Sequence, residues 1–139
     1  MKKEKSVMSV VSTHIITTSI IIPFFGLLAG YFINKFLSAS LNHNSMVMLR
    51  DIVYIIFFYI GVKYSLSYID KKIYVKNPQN SLIYSIIIFG LIIISVLIFE
   101  ILAQPDIVNI GYSIAFFGII FLIFFLLTKN YFKKLQQNM

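Results

Sequence analysis

VMSVVSTHIITTSIIIPFFGLLAGYFINKFL, residues 7–37, is the stretch whose reading decides the fold. It is long enough to cross a bilayer, because about 20 helical residues at 1.5 Å each span a hydrocarbon layer of about 30 Å. A secretory leader is the competing reading, with Ser38 and Ser40 as small residues before a cleavage point. Leader cores run about 7–15 residues, however, and this apolar region is about twice that. We read it as the first of several membrane spans, and that reading turns the later apolar stretches into spans rather than core helices.

Composition argues the same way. Of 139 residues, 59% are hydrophobic and 12% charged, with a mean hydropathy of +0.88. Soluble domains carry about 25% charged residues. So greasy a chain has too few polar residues to coat a water-facing surface, whereas a bilayer lets the outside be apolar. The chain has no cysteine, which excludes disulfides, thiol catalysis and cysteine-ligated metals.

Three further stretches are marked, at about Ile52 to Ile69, Ser81 to Ile101 and Ile107 to Leu127. The expected fold is an all-α integral membrane protein, a four-helix transmembrane bundle in one domain covering residues 1–139. Asn77-Pro78 punctuates the connection before the third span, with Asn80 placed to cap it. Gln104-Pro105-Asp106 breaks the chain before the fourth, Asp106 serving as N-cap, so the last two spans should be antiparallel neighbours. The third span holds fourteen Leu, Ile, Phe or Val residues between Ser81 and Phe99. At roughly −0.4 kcal/mol each they favour insertion by about 5 kcal/mol. The second holds ten, and Lys63 returns up to ~3 kcal/mol if it sits deep, so that span needs neighbours.

Basic residues set the expected orientation. Lys2, Lys3 and Lys5, then Lys71, Lys72 and Lys76, then Lys129, Lys133 and Lys134 share one side of a four-span chain; opposite them lie only Lys35 and Arg50. The positive-inside rule places both termini in the cytoplasm. The net charge of +7 therefore reads as orientation and lipid attraction, not as nucleic-acid binding. Tyr31, Tyr54, Tyr68, Tyr84, Tyr112 and Tyr131 supply an interfacial belt in a chain without Trp. Eleven Lys to one Arg, with abundant Ile, Phe and Asn, hints at an AT-rich bacterial genome and hence at the bacterial inner (cytoplasmic) membrane.

Four polar residues form the candidate intramembrane site. Lys63 lies six residues inside its span, about 9 Å at 1.5 Å per residue. It either snorkels to the headgroups or faces the bundle as a cation for an anionic ligand. His14, with Thr17 and Thr18 on its face, is either a proton relay or ligand, or an interhelical hydrogen-bonding histidine. Pro23 removes a helix hydrogen bond, and Gly26 and Gly30 form a GxxxG that admits a neighbouring backbone, in the same protomer or in another. Gly61 in the second span, and Gly111, Ala115 and Gly118 in the fourth, extend the small-residue theme. At the outer side Lys35, Arg50, Asp51, Glu100 and Asp106 form a candidate ionic cluster. Solvated pairs of this kind contribute about 0–1 kcal/mol.

Catalytic fingerprints are missing. Gly111-Tyr112-Ser113-Ile114-Ala115 mimics a nucleophile elbow, but it lies within a predicted helix and not at a strand-to-helix turn. We expect no catalytic residue, cofactor or metal. The expected function is that of a non-enzymatic accessory, assembly or regulatory component working through helix contacts, as a homo-oligomer or with a larger membrane-protein partner. The alternative is a small homodimeric transporter, flippase or channel with His14 and Lys63 lining the path.

Overall fold

The computed structural model describes residues 3–37, 43–103 and 106–138. The Ser38–Ser40 segment, the Gln104-Pro105 break and the side chain of Pro23 lie outside the described residues. The chain is helical, with four helices long and apolar enough to span a membrane: Val7–Phe36, Ser45–Lys72, Pro78–Ala103 and Ile107–Gln137.

The first of these is not continuous α-helix. Helix α1 (Val7–Ile16) starts at Ser6, whose hydroxyl accepts from the Ser9 N–H at 3.3 Å. A π-helical turn, Thr17–Ile21, joins it to α2 (Ile22–Leu37). Local chemistry explains the turn. Pro23 lacks the N–H that an α-helix would give to the Ser19 carbonyl. The Thr17 and Thr18 hydroxyls bond back to the carbonyls of Thr13 and His14 at 2.8 and 2.7 Å, a pattern that bends helices. The wide turn rotates α2 relative to His14, so a single helical wheel drawn through both halves misplaces their faces.

Helix α3 (His43–Lys72) begins well before Ile52, which puts Arg50 and Asp51 inside a helix instead of ahead of one. Helix α4 (Pro78–Ala103) begins with proline in its first turn, where a missing N–H costs nothing, and the Asn77 carbonyl accepts from Ser81 N at 3.1 Å. Asn80, expected as the cap, instead lies inside that turn. Helix α5 (Ile107–Gln137) starts at Asp106, whose carbonyl accepts from Ile110 N at 2.9 Å while its side chain makes no cap bond. It runs past Leu127 and so carries Thr128, Tyr131 and Phe132 into the bundle. Charged residues end an apolar stretch without ending a helix.

One short two-stranded sheet accompanies the helices. Strands β1 (Lys3–Lys5) and β2 (Ile73–Val75) pair in parallel, Lys3 opposite Ile73 and Lys5 opposite Val75. Ile73 and Val75 point into the core while Tyr74 stays outside, the alternation a strand imposes. This strap ties the start of the chain to the α3–α4 connection. Gln136 of α5 meets Pro78 and Gln79 of α4 in a cleft at the same end. Lys3–Lys5 and Gln136 thus sit at one end of the bundle.

That strap end holds the core. Val10, Val11, Val62, Ile69, Phe124 and Phe132 are all but sealed from solvent. On α4, Ser81, Ser85 and Phe89 recur every fourth residue and form its buried stripe. The two serines are small enough for α1 to pack close, and Phe89 stacks on Phe124 at 3.9 Å. The opposite end is open, with Leu102 78% and Ile107 84% exposed.

The glycines divide along the same line. A Cβ on Gly26 would lie 3.0 Å from Tyr54 Cδ2, and one on Gly30 would lie 3.2 Å from Arg50 Cγ. The GxxxG therefore serves the α2–α3 contact inside the protomer, and Gly61 is buried as well. Gly111, Ala115 and Gly118 are exposed, and nothing approaches within 4 Å of a Cβ built at either glycine. Close packing expected there is not made among the described residues. Gly26→Ala must displace Tyr54 and should destabilise the fold by about 1–3 kcal/mol, as overpacking does. Gly118→Ala should be neutral or slightly stabilising. Unfolding of the two variants in mixed micelles, beside the parent, checks the contrast.

Candidate functional site

Two polar features stand out among the described residues, one sealed and one open. The sealed one is His14. Its Nδ1 lies 2.8 Å from the Ser65 hydroxyl on α3 and its Nε2 lies 3.0 Å from the Thr128 hydroxyl on α5. The ring stacks on Phe124, centroids 4.9 Å apart and planes 19° from parallel. His14, Thr18 and Thr128 are 0% exposed. A neutral imidazole needs one donor and one acceptor, and two hydroxyls, each able to play either part, satisfy both tautomers. The side chain thereby joins three helices with both ring nitrogens bonded. Of the two readings open for His14, the geometry is that of an interhelical hydrogen-bonding histidine. Thr18 completes the junction, its hydroxyl donating to the His14 carbonyl, whereas the Thr17 hydroxyl donates to the Thr13 carbonyl.

Lys63 lies elsewhere. It is exposed, about 200° of helix rotation from Ser65. Its Nζ sits 5.0 Å from the ring centroid of Tyr59, one turn back along α3. Helical side chains lean toward their own N-terminus, so the ammonium points away from the nearer helix end, against the direction that snorkelling requires. His14 and Lys63 do not meet.

The open feature lies at the end remote from the strap. Arg50, Asp51, Glu100, Asn109, Tyr112 and Ser113, with apolar neighbours, line a cleft of about 540 Å³ between α3, α4 and α5. Arg50 Nε donates to Asp51 Oδ1 at 3.2 Å, and the Tyr112 hydroxyl donates to Asp51 Oδ2. Asp51 is only 9% exposed despite its charge. Of the five-residue cluster expected at this end, Arg50, Asp51 and Glu100 share the cleft; Lys35 and Asp106 are exposed and do not line it. Among the described residues no group of three or more His, Asp and Glu side chains is arranged to hold a metal.

Several partners escape a reading by sequence. Ser65 reads as a small packing residue, Thr128 falls one residue beyond the apolar stretch, and Tyr112 reads as part of the interfacial belt. The available signal was depth: His14, Ser65 and Thr128 are each two or more turns from helix ends that share the strap side. The chain matches no protein-family model, no curated protein and no solved structure. Its function has to be argued from its own geometry.

Interhelical hydrogen bonds in membrane proteins contribute about 0.6 kcal/mol on average and up to about 1.7. Double-mutant cycles pairing His14→Ala with Ser65→Ala and with Thr128→Val should each give coupling in that range. His14→Phe should keep the volume yet lose about 1–3 kcal/mol, because it strands two buried hydroxyls. Equilibrium unfolding of the variants measures both; additive single effects in both cycles would contradict the junction.

Proposed function

We propose that the protein is a non-enzymatic component of a bacterial cytoplasmic membrane that works by docking α5 against another transmembrane helix, in a second protein or a second copy. The observation that carries this is the split character of α5. Ile120, Phe124, Thr128 and Phe132 are buried in the protomer, whereas Gly111, Ala115 and Gly118 are exposed with open space above the glycines. Lipid does not require glycine, and each glycine in a helix costs about 1 kcal/mol relative to alanine. Small residues at such spacing are what close helix association in a bilayer uses. The alternative of a homodimeric transporter through His14 and Lys63 is not favoured by an enclosed His14 that does not meet Lys63, which lines a separate cleft between α3 and α5.

The basic residues support one orientation for this component. Lys5, Lys71, Lys72, Lys76, Lys133 and Lys134 gather at the strap end, against Lys35 and Arg50 at the other. By the positive-inside rule the strap end is cytoplasmic. Reporter tags fused to the two tails should both read the cytoplasm, and readouts from opposite compartments would refute the orientation.

Docking is tested in native membranes with Gly118→Leu. A single cysteine at Ala115, alkylated with a benzophenone maleimide and irradiated, should give a cross-linked species larger than the protomer. Adding Gly118→Leu should remove that species while leaving the unfolding transition of the purified chain unchanged. Persistence of the cross-link would reject α5 as the docking face.

A further inference from the structure

The cleft at the open end lies on the flank of α5 opposite its small-residue face, and its chemistry is specific. At about 540 Å³ it falls within the ~300–1,000 Å³ typical of small-molecule sites. Its lining mixes polar Asp51, Glu100, Asn109, Tyr112 and Ser113 with apolar Phe99, Ile101 and Phe116. Phe116 is steadied against Tyr54, ring centroids 5.8 Å apart. The charges do not balance. Arg50 and Tyr112 hold the two oxygens of Asp51, and Glu100 has no hydrogen-bond or ion-pair partner among the described residues. In a chain of net charge +7, this cleft is a place with surplus carboxylate beside aromatic surface.

We propose that the cleft binds the primary ammonium group of an amphipathic amine, with the ammonium on Glu100 and the apolar body along Phe99, Ile101 and Phe116. An anionic ligand would meet the surplus carboxylate. A primary ammonium brings three N–H donors to oxygens that accept hydrogen bonds, which a quaternary ammonium does not. Phe99 and Phe116 in the lining add cation–π attraction at close range. The same group occurs in an aminophospholipid headgroup and in a free single-chain amine, and the cleft accepts both on chemical grounds.

The test uses the full chain purified in a neutral detergent, titrated separately with phosphatidylethanolamine, dodecylamine and phosphatidylcholine. Binding is read by native mass spectrometry and by the thermal unfolding midpoint. At least one of the two primary amines should bind and raise the midpoint, while phosphatidylcholine binds more weakly. A response to phosphatidylethanolamine alone assigns the headgroup as the source; a response to dodecylamine alone assigns the free amine. Glu100→Gln should weaken binding by about tenfold or more, as loss of a charged hydrogen-bond partner does, and Glu100→Asp should restore part of it. Glu100 is exposed, and an unchanged unfolding midpoint without ligand shows that both variants fold. Failure of both amines to bind, equal binding of phosphatidylcholine, or undiminished binding by Glu100→Gln would overturn the proposal.

Discussion

One imidazole sets the rotation of three helices. With His14 bonded to Ser65 on one side and Thr128 on the other, turning α1, α3 or α5 by a single residue position would strand buried polar atoms away from water. In an apolar surrounding that is expensive relative to the small net gain of each bond, so the junction specifies register more than it adds stability. Phe124 beneath the ring, and Phe89 beneath Phe124, extend the layer to α4. The π turn after α1 then frees α2 to present Gly26 and Gly30 to α3 without disturbing the histidine.

The consequence is a bundle with two unlike halves. Around the strap, helices are held by aromatic stacking, the histidine junction and β1–β2 pairing. Toward the other end, the charged cleft lies on one flank of α5 and bare small residues on the other. The well-buried half positions both surfaces of the open half. This division is why a chain of 139 residues can have a single well-packed core and still offer unpartnered surface at the level of Gly111 to Gly118.

Much of the architecture was legible from the sequence because solvent assignment is a bulk property. Runs of Ile, Leu and Phe long enough to span a membrane announce themselves, and Asp106 marks a helix start from its residue type alone. The helix limits were less legible: Arg50 and Thr128 lie outside the apolar runs but inside helices, since hydropathy reports the surroundings and not the backbone. The strap was hidden in the three residues Ile73, Tyr74 and Val75, too short for an alternating pattern to register. His14 was visible as an anomaly; its partners were not, because pairing depends on how α3 and α5 are rotated. A π turn that no periodicity announces separates His14 from Gly26 and Gly30.

The absence of cysteine opens the most direct test of the histidine-centred packing. Single cysteines at Ser65, Ser67 and Thr128 change little in volume and sit within or just outside the junction: Ser65 and Thr128 are sealed, and Ser67 is exposed two residues along α3. With a small membrane-permeant maleimide acting on the folded protein, Ser67→Cys should label readily, and Ser65→Cys and Thr128→Cys only after denaturation in SDS. Labelling of Ser65→Cys in the folded state as fast as Ser67→Cys would mean that the three helices do not close around His14, and the account would fail at its centre.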